Sequence, residues 1–146
     1  MLDMDVLRLC DLKQGLTKYT AEQQRIQIEI IDPEGNASKF SEHGAFYEND
    51  QLVGLFGEQP QWVVVNFTGP VEDVKDGNYP IVPLADWEPG KVVIGLLFED
   101  VMMINWYGAL TFHRNKNKRL IAKFSCSSAN WKIKDAEIEI KYVPAP

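Results

Sequence analysis

The feature that most constrains this chain is alternation: apolar side chains recur at every second position through several short segments, and a helical period hardly occurs. Successive strand residues point to opposite faces, so the pattern predicts half-buried strands and an all-β domain. In Arg25-Ile26-Gln27-Ile28-Glu29-Ile30 the isoleucines share one face, and Asp32-Pro33-Glu34-Gly35-Asn36 ends the run as a turn. Residues 45–47 and 52–56 flank a short polar connection, which makes a hairpin. Residues 62–67 and 92–98 are apolar on both faces, as in central strands or strands covered by another layer.

A further hairpin spans residues 104–125. Ile104, Trp106, Leu110 and Phe112 share a face, and Leu120, Ala122, Phe124 and Cys126 alternate likewise after Asn115-Lys116-Asn117. A three-residue loop pairing Arg114 with Lys118 sets Gly108 opposite Phe124 and Trp106 opposite Cys126, so that the indole covers the glycine gap. The outward face then carries Tyr107, Thr111, His113, Arg119, Ile121 and Lys123. In the last strand the apolar phase changes from odd (Trp131, Ile133) to even (Ile138, Ile140), which predicts a bulge or turn near Lys134-Asp135-Ala136. Residues 4–12 have apolar positions at 4, 6, 7, 9 and 12, read as a short helix.

The chain's 146 residues predict one domain, burying roughly 68–70% of its unfolded surface. With 45% hydrophobic and 25% charged residues, disordered, collagen-like and coiled-coil chains are excluded. The expected architecture is an antiparallel β-sandwich or flattened barrel of about seven to nine strands. The longest apolar run is residues 92–98, far short of the roughly 20 residues of a membrane-spanning helix. An acidic opening, Met1-Leu2-Asp3-Met4-Asp5, and the two distant cysteines Cys10 and Cys126 predict a cytoplasmic protein with reduced thiols. The sequons at Asn36 and Asn66 carry no weight in that compartment.

Charge is distributed unevenly. Residues 1–100 hold seven Lys/Arg and eighteen Asp/Glu, residues 101–134 hold seven bases and no acid, and residues 135–146 hold one base and three acids. Arg119 and Lys123, with His113, Tyr107 and Trp62, are the candidates for an anion or ligand face. A total of −6 disfavours a phosphate backbone and hence nucleic acid. Residues 69–90 combine four prolines, three glycines and five acids, the composition of a long functional loop, with 79–84 as an edge strand. Within or beside it, Tyr79 and Trp87 are anchors and Asp73, Asp76, Asp86 and Glu88 the charges for a basic protein partner.

Catalytic signatures are missing: there is no phosphate loop, Gly-x-Ser-x-Gly, His-Glu-x-x-His or Cys-x-x-Cys. His43 and His113 with one carboxylate would meet the ligand count of a two-histidine iron site, but no spacing supports it, and no metal or cofactor is expected. Asp73, Asp76 and Asn78 form a calcium-loop fragment without the closing glutamate, better explained as turn chemistry. Trp106 and Trp131 are in phase with aliphatic neighbours and belong to the core. The expected function is a small acidic binding protein of the toxin-immunity or inhibitor type, without catalysis. The alternatives are a small-ligand or carbohydrate-binding β-barrel using Trp62 and Tyr107, and an acid-pair glycoside hydrolase. Head-to-tail pairing of acidic and basic faces would also allow a homo-oligomer.

Overall fold

The computed structural model describes residues 24–58, 61–115 and 119–141. Among them are eleven strands: β1 Gln24–Ile31, β2 Ala37–Glu42, β3 Gly44–Glu48, β4 Gln51–Phe56, β5 Gln61–Asn66, β6 Gly77–Ile81, β7 Val93–Phe98, β8 Val101–Met103, β9 Tyr107–Arg114, β10 Arg119–Ser128 and β11 Trp131–Lys141. They form an all-β sandwich of two antiparallel sheets, one ordered β2-β1-β11-β10-β9-β6 and the other β3-β4-β5-β7-β8. The strand number exceeds the seven to nine suggested by alternation because the additional strands are short or polar. In β2 only Phe40 reaches the core, β8 has three residues, and β6 contains Pro80. The helix expected over residues 4–12 lies outside the described residues.

The two sheets meet through their apolar faces. Ile26, Ile28 and Ile30 are buried on β1, and Gly54 on β4 faces Ile26 so closely that an added Cβ would stand 2.0 Å from its Cδ1. Ring contacts span the layers at Phe40–Phe56, 4.8 Å between centroids, and Phe67–Phe112, 5.5 Å. An isolated parallel bridge, Ile81 to Val92, joins the sheets along one side.

The predicted phase change on β11 is a bulge. Gln27 pairs with Glu137 but Glu29 with Lys134, and Phe124 pairs with Ala136 but Cys126 with Ile133. Asp135 takes the strain at φ 51, and its N–H donates to Ser125 Oγ at 3.0 Å. The extra residue keeps Ile133, Ala136, Ile138 and Ile140 all buried.

The β9–β10 register differs from the sequence expectation by two residues. Arg114 pairs with Leu120, Leu110 with Phe124 and Gly108 with Cys126. Asn115 causes the slide: its N–H donates to the Arg119 carbonyl, and its Oδ1 accepts from the Arg119 N–H, each at 3.1 Å. An even slip leaves every side chain on its predicted face. Trp106 consequently precedes β9, fully buried, with its indole N–H donating to the Met103 carbonyl at 3.1 Å. The space beside Gly108 is filled by the Cys126 and Ser125 backbone, not by Trp106.

The β7–β8 turn carries strain that a substitution can relieve. Phe98 pairs with Val101, and both residues between them are left-handed, Glu99 at φ 50 and Asp100 at φ 64. That conformation is favourable for Asn-Gly and unfavourable for a charged pair with Cβ atoms. The double change Glu99→Asn, Asp100→Gly is expected to raise the unfolding free energy by about 0.5–1 kcal/mol. Urea titration checks it; a loss of stability would show that the turn does not hold this geometry in solution.

Candidate functional site

Residues 69–90 are ordered by the basic hairpin beside them. The segment contains 3-10 turns at Val71–Asp73 and Leu84–Asp86, and β6 as an edge strand hydrogen-bonded to β9. Arg114, the last residue of β9, fastens the segment in three places. Its N–H donates to Asp76 Oδ1 at 3.1 Å, and its guanidinium donates to the carbonyls of Val71 and Glu72. The same guanidinium stands 5.8 Å from the centre of the Phe112 ring, so its position is held from below. Tyr47 adds a bond from its hydroxyl to Glu72 Oε1, and Val71 N–H donates to the Asn49 carbonyl.

On this backbone Glu72, Asp73, Asp76, Asp86 and Glu88 are all exposed. Glu88 pairs with Lys91 at 2.8 Å, and the hydrogen bond from that ammonium holds its carboxyl below the usual carboxylate range. A hollow of about 350 Å³ opens beside the acids, lined by Phe67, Pro70, Asp73, Val74, Lys75 and Tyr79 among others. Tyr79 is half-buried there, edge-on to Phe67, with its hydroxyl donating to the Lys75 carbonyl. The hollow thus has an apolar floor and a charged rim, a usual arrangement for a recognition surface.

Trp87 does not project as a free ring. It is half-buried, and its indole nitrogen is buried without a hydrogen-bond partner among the described residues, just after the turn at Leu84–Asp86. Trp62 is buried at 3% exposure on the face of β5 turned away from the core, whereas Tyr107 is 60% exposed on the outer face of the other sheet. These two rings lie on opposite sides of the sandwich and cannot share one ligand.

The basic hairpin is compensated within its own sheet. Arg119 Nε donates to Glu139, Arg25 bridges Glu137 and Glu139 at 3.2 Å each, and Lys123 stands 4.0 Å from Glu137. Cross-strand register produces this ladder, with Arg25 opposite Glu139 and Lys123 opposite Glu137. Arg119 and Lys123 are therefore partners of acids from β11, which weakens the case for an anion face or for acidic-to-basic pairing between copies. The alternate-position charges of β11 and β1 were the signal for the ladder; a count by segment does not show it. His113 is half-buried opposite Ile121 on the same face.

His43 and His113 are not brought together. Four strand spacings separate β2, which ends just before His43, from β9, roughly 19 Å. His43 instead places Nδ1 3.1 Å from the Gln24 carbonyl. Among the described residues no group of three or more His, Cys, Asp or Glu is placed to hold a metal ion. Asp76 of the calcium-like fragment spends an oxygen on Arg114. Glu137 and Asp135 both line a groove of about 520 Å³ at the bulge, but Glu137 is salt-bridged to Arg25, unlike the proton donor of an acid pair. Among the described residues no helix is long and apolar enough to cross a membrane. The chain matches no family model, no curated protein and no solved structure.

Proposed function

We propose that this protein is a non-catalytic binding module that recognises a basic protein partner through residues 69–90, in the manner of an immunity or inhibitor protein. One observation carries the reading: five exposed carboxylates stand on a segment whose backbone is already held by Arg114 and by pairing of β6 with β9. A pre-ordered surface loses little conformational freedom on binding, and its charge speeds encounter with an oppositely charged partner. Asp73 and Asp86 have no ion pair among the described residues and are the first contacts in this reading, with Tyr79, Asp76 and Glu88 around them. Trp87 supports them from its half-buried position. In this reading the protein works in the cytoplasm, and the buried Cys126 thiol, whose pKa is pushed up by desolvation, is an inert packed side chain.

Affinity capture from the source cell, with the natural chain and with Asp73→Lys, Asp86→Lys, tests the proposal. The expected result is a basic partner retained by the natural chain, lost by the double variant and released as salt is raised. Identical captured proteins for both chains at every salt concentration would overturn it.

A further inference from the structure

In a two-layer sandwich the outer face of each sheet meets water, and no packing requirement dictates which side chains stand there. The outer face of the six-stranded sheet is nevertheless shaped. Cross-strand register lines up Asn78, Thr111, Lys123, Glu137 and Gln27 as one polar row. The next row is low: Pro80 pairs with Ala109 and Ala109 with Ser125, all exposed and all short of side chain. Beyond it stands Tyr107, opposite Ser127 and 60% exposed, the one exposed aromatic ring among the described residues. Tyr107 and Thr111 lie on the same face of β9, so the two walls are roughly 13 Å apart. A groove of about 520 Å³ follows the low row to the bulge on β11, lined by Ala109, Ser125 and Asp135 and by Gln27, Lys123 and Glu137 of the polar row.

Charge and hydrogen-bonding capacity decide what such a groove can hold. Lys123 stands 4.0 Å from Glu137, Arg25 bridges Glu137 at 3.2 Å, and Asp135 has no ion pair among the described residues. Two cations thus balance two carboxylates, and the groove favours neither an anion nor a cation. Ser125 Oγ accepts from the Asp135 N–H at 3.0 Å, which leaves its O–H to donate. The exposed Gln27 amide offers a donor and an acceptor, the Asp135 carboxylate accepts, and the Lys123 ammonium has donors to spare. Each hydroxyl of a sugar both donates and accepts, and the C–H face of its ring is apolar, so a saccharide matches the polar row and the exposed phenol ring together. We propose that the groove beside the β11 bulge binds a neutral saccharide, with Tyr107 stacking on the sugar ring and Gln27, Lys123, Ser125 and Asp135 bonding its hydroxyls. The site uses none of the carboxylates assigned above to a protein partner.

Titration of isotope-enriched protein with cellohexaose, laminarihexaose and mannohexaose, followed by amide chemical shifts, tests the proposal. The amides of Tyr107, Ala109, Ser125 and Asp135 are expected to move with at least one of these neutral probes, with a Kd on the order of 1 mM for so open a groove. Tyr107→Ala, at an exposed position, is expected to weaken that binding roughly tenfold. Ala109→Leu, which raises the floor, is expected to remove it at unchanged Tm, and if that variant does not fold, Tyr107→Ala decides. The Asp73→Lys, Asp86→Lys chain should bind the saccharide as the natural chain does, whatever becomes of its protein partner. No movement of the four amides at probe concentrations on the order of 10 mM would overturn the proposal. So would equal affinity in Tyr107→Ala, loss of binding in the Asp73→Lys, Asp86→Lys chain, or tighter binding of the anionic probe hexagalacturonate.

Discussion

Replacing Gly108 with alanine is expected to lower the unfolding free energy by about 3 kcal/mol. The new methyl group would stand 2.2 Å from the Ser125 carbonyl oxygen and 2.7 Å from both Cα and Cβ of Cys126. These atoms belong to β10, which is hydrogen-bonded to β9 on one side and β11 on the other. Relief therefore requires displacing a strand, and no rotamer change at Cys126 suffices, because the nearest atom is a backbone oxygen. Urea unfolding of the variant measures the effect. A loss under about 1 kcal/mol would mean that the start of β9 separates from β10 easily, against the pairing of Gly108 with Cys126.

Gly54→Ala tests the contact between layers in the same way but meets a softer obstacle. Its methyl would lie 2.0 Å from Ile26 Cδ1 and 3.2 Å from Ile26 Cβ. Ile26 is fully buried, so its terminal carbon can move only by disturbing packed neighbours, and a loss of about 2 kcal/mol is expected. Ile26→Val removes the offending Cδ1. In that background the glycine substitution is expected to lose less than half as much, a coupling that a double-mutant cycle reads directly. Equal losses in both backgrounds would show that β1 and β4 do not face each other at this point.

Much of the fold was legible because strand periodicity is local. The isoleucines of β1, the phase of β9 and β10, and the bulge at Asp135 are all written in which second residue is apolar. The register of the β9–β10 hairpin was not, since Asn115 acts through its own side chain and an even slip leaves the alternation unchanged. Strands β2 and β8 were hidden for a different reason: edge positions need few apolar residues, so Phe40 alone or three residues suffice. At the candidate site, the acids of residues 69–90 were evident from composition, whereas Arg114 as their tether was not. How deeply Trp87 and Trp62 are buried was not legible, because the phase of a side chain says which face it occupies but not what covers that face.

By itself the sequence determined the all-β class, the faces of the principal strands and the place of the bulge, because each depends on neighbours one or two residues away. Tertiary structure alone decided which charges meet. Arg25, Arg119 and Lys123 find Glu137 and Glu139 only because β1, β11 and β10 lie side by side, although Arg25 and Glu137 are 112 positions apart in the chain. Coulomb attraction follows distance through space and not along the chain, so a basic stretch in the sequence became part of a compensated ladder. The acids of residues 69–90, fastened by their backbone, were left facing solvent.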